Sequence, residues 1–311
     1  MKWEKLGLIF DISNYDIPWL KSHAMMPLAL ELNDKIRVYF TGRHIDGRSR
    51  ISFFDLKKDN PEEIIYVHDT PLLDVGPIGS FDDCGTVGTF VMHQDDKVYL
   101  YYNGYNVRNT VPWSNSIGLA ISHDGGSTFE KAYDGPILDR CKLEPYFSIS
   151  PAIIKHDSFW HMWYTSGTGW VNIDGRKEPV YDIKYASSKN GIDWHREGEV
   201  CIAQNNFEEC VARASVINEN NKLKMWFIFR GSRDFRDGTD SYKIGYAESN
   251  LENPTKWIRN DENAGISPGP EVFDNKMQAY PCVLVIDTKK YFFYNGNGFG
   301  SNGVCLAVWN H

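Results

Sequence analysis

A repeat of about 62 residues runs along the whole chain and constrains its fold more than any other feature. The first repeating segment is rich in aromatic residues and ends in small ones. Its copies are Arg37-Val38-Tyr39-Phe40-Thr41-Gly42, Tyr99-Leu100-Tyr101-Tyr102-Asn103-Gly104, His161-Met162-Trp163-Tyr164-Thr165-Ser166-Gly167, Lys224-Met225-Trp226-Phe227 and Tyr291-Phe292-Phe293-Tyr294-Asn295-Gly296. From Phe40 through Tyr102, Tyr164 and Phe227 to Tyr294 the steps are 62, 62, 63 and 67. A second segment follows each copy: Ile51-Ser52-Phe53, Ile117-Gly118-Leu119-Ala120, Ile183-Lys184-Tyr185-Ala186, Ile244-Gly245-Tyr246-Ala247 and Val304-Cys305-Leu306-Ala307. A third precedes each copy, beginning at Pro27, Gly88, Pro151, Ala214 and Pro281, with steps of 61, 63, 63 and 67. Three registers that keep one period describe a structural unit repeated five times.

A fourth segment carries an aromatic residue beside a charge. Its copies are Thr128-Phe129-Glu130-Lys131, Asp193-Trp194-His195-Arg196 and Lys256-Trp257-Ile258-Arg259, with Ile64-Ile65-Tyr66-Val67 a weaker one. The fifth is absent after Ala307 and occurs instead at the N-terminus, as Lys2-Trp3-Glu4-Lys5. Four β-rich segments in five repeats predict an all-β five-bladed β-propeller with four antiparallel strands per blade, residues 1–311 forming a single domain. The N-terminal strand closes the last blade, which removes the exposed edges of an open array. Ser122-His123-Asp124-Gly125-Gly126-Ser127-Thr128-Phe129 fits the Asp-box hairpin of propellers, and Ser188-Lys189-Asn190-Gly191 is a looser copy.

Composition narrows the function. The formal charge is −8 with no basic run, which disfavours nucleic acid and anionic membranes as partners. No 18-residue apolar stretch is present, so membrane insertion is not expected. The first residues lack the apolar core of a secretory signal, so a cytoplasmic location is expected, with the six cysteines reduced and mostly buried. The nine histidines show no ligand spacing, and neither a metal nor a cofactor is expected. Gly298-Phe299-Gly300-Ser301-Asn302-Gly303 matches a dinucleotide-binding motif by letter, but a strand follows where that motif needs a helix. Aromatic residues make up 14% of the chain, enough for a β-rich core, a sugar-stacking surface or both.

In a propeller, the loops leading into each innermost strand and those joining the second and third strands share one face around the central channel. The first set spans about 13–26, 74–87, 139–150, 203–213 and 267–280, and the second about 42–50, 104–115, 166–181, 230–242 and 295–302. Acids in the first set suit the two-carboxylate chemistry of glycoside cleavage. Asp83 and Glu209 are the leading catalytic candidates, with Glu144 and Asp274 as substitutes. Each of these acids also suits turn capping or a solvated loop. Arg213 lies in an apolar inner strand, where a guanidinium needs a carboxylate or a ligand. Asp82, Arg213, Tyr280, Arg43, His23, Trp170, Arg230 and Asn297 are the substrate-binding candidates, with Trp19, Tyr105, Trp113 and Arg233 nearby in the same loops.

The five-blade pattern resembles the five-bladed propeller glycosidases of glycoside hydrolase families 32, 43, 68, 117 and 130. More narrowly, Gly79-Ser80-Phe81-Asp82-Asp83-Cys84-Gly85, Ile117-Gly118-Leu119-Ala120-Ile121-Ser122, Ile244-Gly245-Tyr246-Ala247-Glu248-Ser249 and Tyr294-Asn295-Gly296-Asn297-Gly298 are similar to family-43-like propellers of bacterial surface-polysaccharide clusters. The resemblance implies a carbohydrate substrate and a glycoside hydrolase or phosphorylase activity. One departure is plain. Families 32 and 43 place acids immediately before the inner strand, whereas the residues at that level here are Met26, Val87, Ser150, Arg213 and Tyr280. A non-catalytic glycan-binding or assembly module is therefore the alternative expectation, and transfer from an activated sugar a third.

Overall fold

The computed structural model describes residues 2–206, 208–236 and 238–309. The chain begins with β1 (Trp3–Asp11), which belongs to the last blade. Blade 1 is β2 (Leu20–Glu31), β3 (Lys35–His44), β4 (Ser49–Lys57) and β5 (Asn60–Val67). Blade 2 is β6 (Thr86–Gln94), β7 (Lys97–Val107), β8 (Trp113–Ser122) and β9 (Glu130–Lys131). Blade 3 is β10 (Ser148–His156), β11 (Phe159–Ile173), β12 (Arg176–Ser188) and β13 (Val200–Ile202). Blade 4 is β14 (Cys210–Glu219), β15 (Lys222–Arg230), β16 (Lys243–Asn250) and β17 (Ile258–Arg259). Blade 5 is β18 (Ala279–Ile286), β19 (Lys289–Asn295), β20 (Gly303–Trp309) and β1, all pairs antiparallel. This is the five-bladed, four-stranded propeller that the period predicts, sealed by the N-terminal strand. Among the described residues, no helix is long and apolar enough to cross a membrane.

The second strand of each blade is aromatic because both of its faces are covered by neighbouring blades. Trp163, Trp226, Tyr101, Tyr102, Tyr164 and Tyr294 are all less than 2% exposed, and this burial supplies the main driving force for closing the ring. The polar tips of these rings also link blades. Tyr39 Oη donates to Gly126 O at 2.8 Å, Tyr101 Oη to Gly191 O at 2.9 Å and Trp163 Nε1 to Pro254 O at 2.8 Å. The first two acceptors lie in the Asp-box turns. Asp124 itself accepts from the Ser127 and Thr128 amides and the Thr128 hydroxyl, the internal bonding expected of such a hairpin.

In four blades the small polar residue after the aromatic pair clips the next blade, and in blade 4 Ile228 takes that position. Asn295 Oδ1 accepts from Met26 N at 2.8 Å, Thr41 Oγ1 from Gly88 N at 3.0 Å, Asn103 Oδ1 from Ser150 N at 3.0 Å and Thr165 Oγ1 from Arg213 N at 2.9 Å. These amides sit at register shifts where β2, β6, β10 and β14 bulge toward the channel. Met26, Ser150, Arg213 and Tyr280 have φ of 57°, 51°, 49° and 56°, a left-handed conformation that costs an L-residue roughly 1–2 kcal/mol. The clips offset that cost for three of the four.

Three expectations change. The outer strand of blade 3 forms at Val200–Ile202, while Asp193–Arg196 supplies only the bridge Ser187↔His195. Residues 166–181, expected as a loop, are paired as β11 and β12 run on to a turn at Asp174-Gly175. Cys201, Cys210 and Cys305 are buried but Cys84, Cys141 and Cys282 are partly exposed; all six are free. Asn297–Gly300 forms one short turn with Gly298 and Phe299 left-handed, followed by β20, so no helix follows the glycine-rich segment.

Candidate functional site

The acids of the lead-in loops mostly face cations of their own blades. Glu144 is fully buried and accepts from Tyr164 Oη at 2.7 and 2.9 Å, Ser166 Oγ at 2.9 Å and Arg196 Nη1 at 3.2 Å. Asp274 is held by Lys5 Nζ at 2.5 Å, Tyr294 Oη at 3.0 Å and Gln278 Nε2 at 3.0 Å. Asp82 pairs with Lys131 at 2.6 Å and accepts from Tyr102 Oη at 3.2 Å. Glu209 accepts from both terminal nitrogens of Arg259 at 2.8 Å, and Phe227 replaces the tyrosine there, under the Arg259 guanidinium. Four blades thus share one device: a lead-in carboxylate, the aromatic residue of the second strand and a cation from the outer segment. Burial first, and the adjoining carboxylate second, raise the Tyr102 and Tyr164 phenols above their ordinary range. Asp83 is different. It accepts from Gly79 N at 2.9 Å and Asn106 Nδ2 at 2.8 Å, and hydrogen bonds from the Cys84 thiol and the Gly79 amide keep its carboxyl below the usual range. None of these five acids lines the central cavity.

That cavity measures about 580 Å³ and opens among the loops of the expected face. All five bulge-level residues, Met26, Val87, Ser150, Arg213 and Tyr280, line it. Arg43, Tyr105, Trp113, Tyr181, Arg230 and Tyr242 add to its wall. Arg213 forms part of the floor and reaches across the channel, its Nη1 donating to Thr89 O at 2.5 Å. Its Nε is buried with no hydrogen-bond partner, and burial lowers its pKa to about 10, which still leaves it charged at neutral pH. Arg230 is buried beneath Phe235. It donates from Nε to Tyr181 Oη at 2.8 Å and Tyr242 Oη at 3.1 Å, and from its terminal nitrogens to the Gly231 and Pro179 carbonyls. Glu178 is the one carboxylate that lines the cavity among the described residues, and both its oxygens accept from Arg236 at 2.8 and 3.0 Å.

Of the substrate-binding candidates, Arg43, Arg213, Arg230 and Tyr280 meet in this cavity. Trp170 stands behind its wall, edge-on to Trp113 at 4.9 Å between ring centres. His23 lies outside it near Arg43; burial first and that guanidinium second lower its pKa to about 4. Asn297 braces the lead-in loop of blade 5, accepting from the Lys276 and Met277 amides. Arg233 pairs at the surface with Glu208 at 3.5 Å, and Trp19 packs in the core. Glu178, Lys177 and Arg236 were missed. The signal for Lys177 and Glu178 was the Arg176-Lys177-Glu178 run inside a hairpin read as loop.

Comparison with known proteins identifies relatives along the whole chain. The proteins MT1551 and Rv1502 of Mycobacterium tuberculosis (strains CDC 1551 / Oshkosh and ATCC 25618 / H37Rv), both described as uncharacterized, are each 33% identical over 311 residues, covering 99% of this chain and of each relative. The chain belongs to their family. No family model matches it. Its fold is that of five-bladed glycoside-hydrolase-like propellers. One solved structure described as a glycoside hydrolase aligns with a TM-score of 0.73 at 16% identity over 99% of this chain and 92% of the other. A glycosyl hydrolase from Bacteroides ovatus aligns with a TM-score of 0.69 at 16% identity over 98% and 88%. A structure reported with the GH130 mannoside phosphorylases and the glycoside hydrolases that target β-1,2 mannosidic linkages in Candida mannan aligns with a TM-score of 0.70 at 14% identity over 99% and 93%.

Proposed function

We propose that this protein recognises a carbohydrate in the central cavity and binds it without two-carboxylate hydrolysis. The observation that carries this reading is the identity of the five channel-level residues, Met26, Val87, Ser150, Arg213 and Tyr280, none of which is an acid. A hydrolytic site needs one carboxyl to protonate the leaving oxygen and a second to act as base or nucleophile, within about 10 Å of each other. The cavity wall offers Glu178 alone among the described residues, already engaged by Arg236. Around it stand the groups that hold sugars: Trp113 and Tyr105 for ring faces, and Asn103, Asn115 and Ser150 for hydroxyls. The test incubates the protein with short oligosaccharides, with and without phosphate, and reads binding by calorimetry and products by mass spectrometry. Saturable binding with no cleavage is expected. Any cleavage product would overturn the reading, and its loss in Glu178→Gln would assign the cleavage to that carboxylate.

The second reading is a glycoside hydrolase or phosphorylase, and the fold of its structural neighbours favours it. In that case Asp83, Glu144, Glu209 and Asp274 would have to leave their present partners to reach a substrate. A phosphorylase would need only one protein carboxyl, because phosphate supplies the nucleophile. Cleavage only when phosphate is present would select that branch.

A further inference from the structure

The chain carries a net charge of −8, yet among the described residues the cavity wall holds Arg43, Lys177, Arg213, Arg230 and Arg236 against the single carboxylate Glu178. Glu178 neutralises Arg236. No described carboxylate lies within ion-pair distance of Arg43, Arg213 or Arg230; the last is held by phenols and carbonyls, and Arg213 by one carbonyl. A buried guanidinium without a counter-charge is costly unless a ligand supplies one. Elsewhere the chain does pair its buried arginines: Arg37 meets Asp55 at 2.8 and 3.0 Å, and Arg50 meets Asp74. The missing carboxylates are therefore particular to the cavity.

Tyr280 marks the centre of this excess. Its backbone is left-handed at φ 56°, its ring faces the cavity, and no hydrogen bond occupies its hydroxyl. Arg43, Arg213 and Arg230 line the same cavity as Tyr280; burial first and Tyr242 second raise its phenol pKa, and the three guanidiniums pull it down. We propose that the cavity selects an anionic glycan, one bearing a carboxylate or a phosphate ester, and receives its acidic group beside Tyr280 among Arg43, Arg213 and Arg230. Guanidinium groups suit both anions because their paired N–H donors match two oxygens at once. The inference rests on the carbohydrate reading above and adds the charge class of the sugar.

The experiment compares matched pairs by calorimetry at low and high salt: galacturonic acid with galactose, glucuronic acid with glucose, and mannose 6-phosphate with mannose, plus inorganic phosphate alone. The acidic member of at least one pair is expected to bind about tenfold tighter or more, with the preference shrinking as salt screens it. The pair that shows it tells a uronate from a sugar phosphate. Arg43 is exposed and makes no ion pair, so Arg43→Gln should fold normally and reduce the preference at least about threefold, with Tyr280→Phe as a second variant. Equal binding of acidic and neutral members overturns the charge inference and leaves the carbohydrate reading standing. Binding of inorganic phosphate without any sugar overturns the glycan part, and no binding of any probe overturns both.

Discussion

Both carboxylate oxygens of Glu209 lie 2.8 Å from the terminal nitrogens of Arg259, fixing a lead-in loop to the outer strand of its own blade. Equivalent contacts join Asp82 to Lys131, Glu144 to Arg196 and Asp274 to Lys5, so the cations of the outer segments and the acids of the loops are two halves of one fastening. Removing one half of such a largely buried pair leaves the other uncompensated. Glu209→Gln is expected to lower stability by about 1–3 kcal/mol and to leave carbohydrate binding in the cavity unchanged. Denaturant unfolding and calorimetry on the same variant check this. Unchanged stability with lost binding would instead put Glu209 in the site.

The clip at Asn295 is the most heavily used. Its side chain accepts from Met26 N and donates to Ala24 O at 2.8 Å and Gly303 O at 2.7 Å, all buried. Asn295→Ala would leave three backbone groups unpaired and is expected to cost about 2–4 kcal/mol. Urea denaturation measures it. A loss below about 0.5 kcal/mol would mean that water takes over these bonds.

Gly118 explains the glycine in the second repeating segment. A Cβ there would sit 2.5 Å from Tyr102 Cζ and 2.8 Å from Phe81 Cζ, and the Tyr102 ring is fully buried. Gly118→Ala is expected to destabilise by about 1–3 kcal/mol through overpacking. Gly125, with nothing within 4 Å of such an atom, has the space for a side chain but a φ of 75°, so Gly125→Asn should be milder than Gly125→Val.

Asp182 is buried beside Glu144 with Oδ1 unpartnered, and burial first, then Glu144, raise its pKa to about 6 against the pull of Lys184. The folded state therefore binds this proton more tightly than the unfolded chain does. Its contribution is most favourable below about pH 4, declines as pH rises to about 6, and is a constant penalty above that. Asp182→Asn should stabilise the protein by roughly 1–3 kcal/mol at pH 7.5 and have little effect at pH 4. Melting curves at the two pH values decide it; equal effects at both would assign the change to packing.

Much of the architecture was legible because its period is set by local alternation and by aromatic strands that every blade must bury. Even the N-terminal closure could be read, from Trp3 standing in for a missing fifth outer segment. The candidate site was legible in its cationic half. Arg213 stood out as a charge in an apolar strand, and Arg43, Arg230 and Tyr280 fell on the right loops. The acids did not, because their fate depends on partners far along the chain: Arg259 is 50 residues from Glu209, and Lys5 is 269 from Asp274. Both halves of each fastening repeat with the blades, so matching the loop acid to the outer-strand cation would have found it. Glu178 escaped notice because β11 and β12 continue past the expected turn, and pairing, unlike periodicity, is a property of two segments together.

The strand that seals the ring has a further consequence, for the order in which the molecule can be made. β1 is made before β2 to β20, yet Trp3 pairs with Trp309 and rests on Trp226 and Phe292. It must therefore remain without its sheet until nearly the whole chain has been synthesised. The loop it closes spans all five blades, from Trp3 to Trp309, which makes this the slowest contact to find and the last to be rewarded. Blades 1 to 4 can assemble one after another as they emerge, but the fifth is completed only when β1 meets β20. Until then, β1 and the edge it will cover stay unpaired, and these are the edges a chaperone would be expected to shield.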